Sequence, residues 1–247
     1  KNVLVAAHRA AHSKHPENSI AAIKESIRIG VHIIEMDVRQ TKDGELILMH
    51  DRTIDRTSNG IGEVQNLNWG DIKVLNLKHE GQLTNEKIPT FEEVLILCKD
   101  KVLIDIDFKE DDIEAVQKAY TLIKKYHVQD QVIFYLYDYR YIPLLQQINP
   151  DVKIMPRARN EIDIKNIYNY DDIKIIHIDD SFYNAKLMKK MIRKGYRVWI
   201  NSLGKFDKIE KEQKNKGFDE LFKMKYINVI QTDLPEELLS YINERNM

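Results

Sequence analysis

The chain has 247 residues, of which 43% are hydrophobic, and its 38 Lys and Arg side chains nearly balance 39 Asp and Glu side chains. The formal net charge of -1 excludes the basic excess that is typical of nucleic-acid-binding proteins. No apolar run approaches the roughly 18 residues that a membrane span needs, so we expect no stable membrane insertion. A chain of this length is long enough to form one α/β barrel domain.

Eight short apolar runs predict strands, and the segments between them have helical spacing. The predicted strands are Val3–Ala7, Ile33–Val38, Lys101–Phe108, Gln131–Leu136, Lys153–Arg157, Asp172–Asp179, Gly195–Asn201 and Tyr226–Gln231. The predicted helices are Ser19–Ile29, Phe91–Lys99, Asp111–Tyr126, Tyr139–Ile148, Asp163–Tyr168, Asn184–Lys194, Asp207–Met224 and Pro235–Asn246. Alternation of strands and helices favours a parallel sheet, and eight such units predict an α/β fold of the (β/α)8 TIM barrel type.

Local signals mark the ends of two of these helices. Asn18 can cap the first helix, Gly30 ends it, and Asp233 can cap the last helix. An open doubly wound sheet is the alternative to the barrel. The absence of a Gly-x-Gly-x-x-Gly motif after any predicted strand, and of a phosphate-binding lysine loop, argues against that alternative.

The segment after the second strand departs from the alternation. Residues 42–44 (Lys-Asp-Gly) predict a tight turn, and Glu45–Met49 predicts a returning strand that ends at His50. Residues 52–89 contain few long periodic runs and are predicted to form a small irregular insertion. We therefore expect residues 1–247 to form a single domain, with residues 52–89 inserted after the second strand.

Acidic side chains cluster at predicted strand ends, where (β/α)8 barrels place their active sites. Glu35 and Asp37 are two residues apart and point to the same face of one strand, and Asp107 ends the next predicted strand. Three carboxylates on neighbouring strands predict a site for one divalent cation, Mg²⁺ or Ca²⁺, because hard cations prefer oxygen ligands. An edge hairpin whose acids face water is the alternative for Glu35 and Asp37 alone. Asp105, one layer deeper, is interpreted as a structural acid bonded to a neighbour.

Cationic and titratable side chains occupy the same strand ends. Arg9 follows the first strand and Lys109 follows the third, and their positive charge suits a phosphate. His8 and His50 suit a general acid and a general base, because no activated Ser or Cys nucleophile is evident. A cation, two cationic side chains and two proton-transfer groups are what the cleavage of a phosphate ester requires.

Several motifs together resemble one enzyme family. The motifs are His8-Arg9, Pro16-Glu17-Asn18-Ser19, Glu35-x-Asp37, Thr41-Lys42-Asp43-Gly44, His50-Asp51, Thr53-Ile54-Asp55-Arg56-Thr57, Ile88-Pro89-Thr90 and Thr232-Asp233-x-Pro235. They resemble the glycerophosphodiester phosphodiesterases of bacteria over nearly the whole chain. The resemblance implies a TIM barrel with a small insertion after strand two. It also implies metal-dependent hydrolysis of glycerophosphodiesters to sn-glycerol 3-phosphate and an alcohol.

The resemblance assigns roles to individual residues. The implied roles are metal ligands at Glu35, Asp37 and Asp107, an acid-base pair at His8 and His50, and phosphate binding at Arg9 and Lys109. No side chain is indicated as a covalent nucleophile. The resemblance suggests instead that the glycerol 2-hydroxyl of the substrate attacks phosphorus, which gives a cyclic phosphate that water then opens.

The sequence departs from the family pattern at a few positions. Ala10 stands where the family usually has Gly, and Asp107 stands where it usually has the longer Glu, which leaves the identity of the metal open. The fourth strand ends in aromatic residues (135–137), and Trp199 and Asn201 are spaced by two residues instead of three. Trp199 and Asn201 are predicted to lie on the alcohol side of the substrate pocket, and for the aromatic residues plain packing is the favoured interpretation.

Two other functions stay open on the sequence. One is a related metal-dependent phospholipase that acts on lipid headgroups, and the other is a non-catalytic barrel that binds phosphates or sugars. The insertion carries Trp69 and scattered leucines instead of a hydrophobic loop, which argues against the phospholipase. None of the histidines and acids of the motifs is missing, which argues against a non-catalytic protein.

The sequence indicates a small-molecule glycerophosphodiester as partner and no nucleic acid, and it leaves the oligomeric state open. The chain starts at Lys1, at the edge of the first predicted strand. If a signal peptide precedes this point, we expect a periplasmic or secreted protein, and otherwise a cytoplasmic one.

Overall fold

A computed structural model of the chain describes residues 3–110 and 112–245. Within these ranges the chain forms eleven strands and ten α-helices. The strands are β1 (Leu4–Ala7), β2 (Ile33–Gln40), β3 (Leu46–Leu48), β4 (Asn76–His79), β5 (Gln82–Lys87), β6 (Leu103–Phe108), β7 (Val132–Leu136), β8 (Ile154–Ala158), β9 (Ile175–Ile178), β10 (Arg197–Asn201) and β11 (Val229–Thr232). The helices are α1 (Ile20–Ile29), α2 (Trp69–Ile72), α3 (Phe91–Cys98), α4 (Ile113–Lys125), α5 (Ile142–Ile148), α6 (Glu161–Ile167), α7 (Ala185–Arg193), α8 (Lys205–Glu212), α9 (Lys216–Leu221) and α10 (Pro235–Glu244).

The described residues fall into two compact units. Unit 1 contains those of Lys1–Ala7, Val31–Ile33 and Ile133–Met247, and unit 2 contains those of His8–Gly30 and Ile34–Val132. In unit 1 the strands lie in the order β1-β11-β10-β9-β8-β7, and neighbouring strands run parallel. In unit 2 the order is β6-β2-β3, and β3 runs antiparallel to β2.

Eight strands, β1, β2 and β6 to β11, alternate with helices along the chain, and the fold is a (β/α)8 TIM barrel. The predicted fold class is therefore confirmed, and so is the hairpin after the second strand, because β3 pairs with β2. The predicted strand ends differ most at β9 and β11, each of which begins three residues later than predicted, at Ile175 and Val229. Tyr226 has φ of +67°, a left-handed conformation that an extended strand does not contain.

Two predicted helix caps are wrong. Ser19, not Asn18, caps α1, because the Ser19 hydroxyl accepts a hydrogen bond from the first turn of the helix. Asp233 is not at the cap position of α10, since that helix begins directly after Leu234. Gly30 ends α1 as predicted, with φ of +78° in the left-handed region.

Residues 52–89 are more ordered than the sequence predicts. They contain the short helix α2 and the antiparallel hairpin β4-β5. The hairpin strands have the sequences Asn-Leu-Lys-His and Gln-Leu-Thr-Asn-Glu-Lys. Each contains too few apolar residues to show the alternating pattern by which a strand is recognised in a sequence. A hydrophobic cluster joins this insertion to β3 and its neighbours, and its buried members are Ile47, Met49, Ile54, Val64, Ile72, Leu77 and Ile88.

The predicted helix Asp207–Met224 is wrong, because the segment forms two helices, α8 and α9. Asn215 separates them with φ of +69°. The Glu210 carboxylate accepts hydrogen bonds from the backbone N–H groups of Asn215 at 2.5 Å and Phe218 at 3.2 Å. Gly217 lies so close to the Phe206 carbonyl that a Cβ would overlap it. The two helices therefore form a tight hairpin that helical periodicity alone does not reveal.

Two predicted helix ends, at Asp111 and Asn246, lie outside the described residues. Next to these positions, α4 begins at Ile113 behind an Asp112 cap and α10 ends at Glu244. Among the helices described, none combines the length and the apolar character that crossing a bilayer requires.

Candidate active site

The three predicted metal ligands lie together in unit 2. Glu35 and Asp37 are in β2 and Asp107 is in β6, and each offers a carboxylate oxygen within 4.8 Å of the others. The alternation of side chains along β2 puts Glu35 and Asp37 on one face. Their exposed fractions are 3%, 1% and 9%. The structure thus brings the three acids into one buried cluster, called here the acid cluster.

Electrostatics in the acid cluster favour a bound positive charge. Burial, together with the negative charges of Asp37 and Asp107, raises the pKa of Glu35 well above its usual value. Asp105 lies deeper in β6, where burial and the same neighbouring acids also raise its pKa. Its Oδ1 has no hydrogen-bond partner among the described residues. Like charges held this close in a low dielectric are costly unless a cation offsets them.

Lys109 offsets part of this charge. Its Nζ lies 3.0 Å from Asp37 Oδ1 and 2.5 Å from Asp107 Oδ2. The Lys109 backbone N–H donates to the carbonyl of Val38 at 2.9 Å, which fixes the side chain next to β2. Burial disfavours the charge on Asp37, yet the Lys109 ammonium and other neighbouring cations lower its pKa below the usual value. Asp37 is therefore held in its ionised form.

Arg9 approaches the acid cluster from the loop after β1. Its backbone N–H donates to Glu35 Oε2 at 2.7 Å, and its Nε lies 3.5 Å from Asp37 Oδ2. Arg9 and Ala10 have φ of +50° and +65°. A left-handed conformation costs a residue with a Cβ about 1–2 kcal/mol, and Ala10 occupies the position where glycine would avoid that cost. The strained turn places the Arg9 backbone N–H where it can donate its hydrogen bond to Glu35.

Asn18 lies at the site, although its position in the sequence predicts a helix cap. Its side-chain amide donates to Asp37 Oδ2 at 2.8 Å, and its backbone N–H donates to the Arg9 carbonyl at 3.0 Å. The Pro-Glu-Asn-Ser motif was the available signal, but Asn and Ser are both good caps. Only the position of β2 shows which of the two residues faces the acid.

The two predicted acid-base residues both lie in unit 2. His8 Nε2 is 4.0 Å from Glu35 Oε2. His50 Nδ1 is 2.7 Å from Asp51 Oδ1, and the His50 carbonyl accepts two hydrogen bonds from Arg39. An ionised carboxylate accepts and does not donate, so Nδ1 of His50 carries the proton of that bond. Nε2 of His50 is therefore the nitrogen available for proton transfer.

Arg56, from the insertion, connects the two sides of this site. Its guanidinium donates to Asp51 through Nε at 2.6 Å and Nη2 at 3.0 Å. It also donates to Glu17 through Nη1 and Nη2, both at 2.8 Å. Glu17 in turn accepts from Arg9 at 3.0 Å. The Arg56 guanidinium therefore orients two carboxylates, that of Asp51, which contacts His50, and that of Glu17, which contacts Arg9.

The charges in this network agree with its geometry. The Arg56 hydrogen bonds hold the pKa of Asp51 far below its usual value. Burial works against ionisation of Glu17, but the hydrogen bonds and charges of Arg56 and Arg9 lower its pKa. Both carboxylates are therefore ionised around neutral pH, and both act as acceptors only.

Trp199 and Asn201, the other two predicted site residues, belong to unit 1. Trp199 is fully buried, and its Nε1 donates to Gln231 Oε1 at 3.1 Å. Asn201 Oδ1 lies 3.0 Å from Nε2 of His177. The hydrophobic cluster around Trp199 consists of Ala6, Ile33, Met155, Trp199 and Val229. Packing within unit 1 accounts for Trp199, and a substrate role for Trp199 and Asn201 stays a prediction.

The barrel, the acid cluster and the surrounding cations and histidines define a class of protein: a (β/α)8 barrel with a site suited to phosphate esters. Residues 8–164, more than half of the chain, match the sequence model of the Glycerophosphoryl diester phosphodiesterase family. The chain therefore belongs to this family, as the motifs indicated.

Curated relatives agree with this assignment. A glycerophosphodiester phosphodiesterase of Caldanaerobacter subterraneus is 36% identical over 157 residues, which are 61% of this chain and 65% of the relative. A glycerophosphodiester phosphodiesterase of Bacillus subtilis is 31% identical over 169 residues, which are 61% of this chain and 57% of the relative. Each match thus spans less than two thirds of the relative.

Solved structures share the fold. A glycerophosphoryl diester phosphodiesterase from Parabacteroides distasonis superposes with a TM-score of 0.88 at 23% identity, over 98% of this chain and 87% of that chain. An Oleispira antarctica phosphodiesterase, solved in complex with the product sn-glycerol-3-phosphate, gives a TM-score of 0.79 at 20% identity, over 97% and 96% of the two chains.

The Arg56 network makes a testable prediction. Arg56→Ala should lower kcat for the phosphodiester hydrolysis proposed below by about 10–100-fold, the range known for outer partners that orient active-site side chains in metalloproteins. The reason is that Asp51 loses the guanidinium that holds it against His50. Arg56→Lys should recover only part of the loss, because an ammonium cannot replace the planar fork that contacts two carboxylates.

Steady-state kinetics and thermal unfolding of each variant provide the measurement. Arg28→Ala is the matched control, because Arg28 also makes a two-pronged bond to a carboxylate, that of Glu25, on the surface of α1. The control should keep the wild-type kcat. A wild-type kcat in Arg56→Ala would contradict the positioning role, whatever the change in stability.

Proposed function

We propose that this protein hydrolyses glycerophosphodiesters to sn-glycerol 3-phosphate and an alcohol. The observation that carries the proposal is the acid cluster, whose three carboxylates lie within 4.8 Å of one another beside Lys109 and Arg9. Family membership supports the reaction class. The product complex of the Oleispira antarctica phosphodiesterase supports sn-glycerol 3-phosphate as the product.

The acid cluster fits one divalent cation. Glu35, Asp37 and Asp107 offer carboxylate oxygens, which Mg²⁺ and Ca²⁺ prefer as ligands. Burial and the neighbouring acids raise the pKa of Glu35, which agrees with the cost of gathering these carboxylates without a cation. A bound cation would neutralise charge on the phosphoryl group. We assign the three acids as its ligands.

Arg9 and Lys109 are the proposed phosphate-binding residues. Both cations already lie against Asp37, so a phosphate at this position would be held by side chains that the acids orient. Arg9 can offer two N–H groups to a phosphate, whereas Lys109 acts as a point charge. Together they stabilise the negative charge that develops on the phosphate oxygens during displacement of the alcohol.

His8 and His50 are the proposed proton-transfer groups. One imidazole takes the proton of the substrate's 2-hydroxyl while that oxygen forms a bond to phosphorus. The other gives a proton to the oxygen of the departing alcohol as its bond to phosphorus breaks. Water then opens the cyclic phosphate with the two roles exchanged. Asp51 supports this cycle by holding Nδ1 of His50, so that Nε2 exchanges the proton.

The ligand assignment predicts the effect of removing one acid. Glu35→Ala should lose high-affinity Mg²⁺ or Ca²⁺ binding, because two of three carboxylates remain and Lys109 competes for both. Isothermal titration calorimetry measures the binding directly, and turnover should disappear with it. Glu45→Ala, an acid on the same hairpin outside the cluster, should bind the cation normally. Full metal content in the Glu35→Ala protein would rule out this ligand set.

The histidine assignment predicts a different result. His50→Ala and His8→Ala should keep the cation and the fold while kcat falls by about 10²–10⁴-fold, the usual contribution of general acid-base catalysis. Metal analysis and circular dichroism accompany the kinetics. Loss of the cation in His50→Ala would instead make this histidine a ligand and would point to zinc or another transition metal.

The cyclic route requires a free 2-hydroxyl on the glycerol of the substrate. A glycerophosphocholine analogue without the 2-hydroxyl should bind but scarcely react, because the attacking group is missing. An intramolecular nucleophile has an effective molarity that can reach about 10⁵ M or more. Comparing the turnover of the two compounds, with phosphorus NMR to detect a 1,2-cyclic phosphate, is the measurement. Equal rates would replace the cyclic route by attack of a water molecule on phosphorus.

A further inference from the structure

A cavity of about 320 Å³ lies in unit 2 next to the candidate active site. Its lining residues are Arg39, Arg52, Val64, Gln65, Lys109 and Glu110. The volume is at the lower end of the range for small-molecule sites, which suits a group about the size of glycerol phosphate. We call it the basic cavity, because three of its lining side chains are cationic and one is acidic.

The basic cavity adjoins two groups of the proposed mechanism. Lys109 lines it and also contacts Asp37 and Asp107 of the acid cluster. Arg39 lines it and donates hydrogen bonds from Nε and Nη2 to the His50 carbonyl at 3.1 and 2.9 Å. A diester whose phosphate lies at Lys109 therefore has one of its two substituents within reach of the cavity.

Two guanidinium groups line the cavity in addition to Lys109, whose charge Asp37 and Asp107 already offset. The diester phosphate carries one negative charge, which Arg9 and Lys109 already face. Arg39 is committed to His50 and, at 3.4 Å, to Glu110. Arg52 has a side chain that is 72% exposed and lies 3.8 Å from Glu63. Such a surface ion pair contributes little to stability, so the fold gives no strong reason for a guanidinium here.

We propose that the basic cavity binds the alcohol part of the substrate and favours alcohols that carry a second phosphate. This inference rests on the proposed function and names the substrate class of the same site. Arg52 is the specificity-determining residue, since its guanidinium can turn towards an oxyanion in the cavity. A cationic alcohol such as choline meets repulsion from Arg39 and Arg52 and is disfavoured.

Three diesters that differ in the charge of the alcohol test the proposal. They are glycerophosphocholine, glycerophosphoglycerol, and glycerophosphoglycerol with a phosphate monoester on its distal glycerol. The wild-type kcat/KM should be highest for the last and lowest for the first. Arg52→Ala should lower kcat/KM for the phosphate-bearing diester by about five- to tenfold relative to that for glycerophosphoglycerol. Arg52→Lys should keep part of the preference, and added salt should reduce it in the wild type.

Lys73→Ala is the matched control, because Lys73 is an exposed cation of the same insertion that does not line the basic cavity. It should behave as the wild type with all three diesters. Arg39 is not used, because its replacement would release the His50 carbonyl and change the chemistry for every substrate. Unequal losses among the diesters in Arg52→Ala support the proposal, and equal losses or none overturn it.

A binding measurement separates this proposal from the proposed function. In a His50→Ala background with Mg²⁺ present, calorimetry gives the dissociation constants of the same three diesters without turnover. If the wild type hydrolyses none of them, the proposed function fails. In that case the proposal on the basic cavity would still be supported if the phosphate-bearing diester bound most tightly and Arg52→Ala removed this difference in dissociation constants. Equal dissociation constants for the three diesters would overturn it.

Discussion

The burial of negative charge in two neighbouring strands is the constraint on which the rest of the site depends. Glu35, Asp37, Asp105 and Asp107 are all at most 9% exposed. Taking several carboxylates out of water and placing them side by side is among the most costly arrangements in a folded protein. The surrounding loops supply the compensation, with Lys109 as its largest visible part. The cations around these four acids therefore offset part of their negative charge.

The loop after β1 is shaped by the same constraint. Arg9 and Ala10 adopt left-handed conformations, and Asn18 does so too, with φ of +56°. Each of these costs free energy that a regular turn would not. In return, a backbone N–H reaches Glu35 and a side-chain amide reaches Asp37. The strain is thus local to the residues that contact the acids, and the ladder of strands is left undisturbed.

The insertion contributes two arginine side chains to the surroundings of the candidate site. Its hydrophobic cluster, which includes Ile54 and Leu77, gives a short polar segment a fixed position against β3. From this base Arg56 reaches Asp51 and Glu17, and Arg52 lines the basic cavity. The barrel strands carry the groups proposed to bind the cation, while the insertion carries Arg56, which orients Asp51 and Glu17, and Arg52, which is proposed to face the alcohol.

The sequence by itself determined the fold class, the acids Glu35, Asp37 and Asp107, and the family. Strand and helix periods are local properties, and the short motifs keep their spacing in any conformation. Only the tertiary structure decided that Asn18 binds an acid and does not cap a helix, and that Arg56 links two carboxylates 39 residues and 5 residues away. These choices depend on which side chains meet across the fold. Local propensity does not contain that information, because caps, turns and salt bridges use the same residue types.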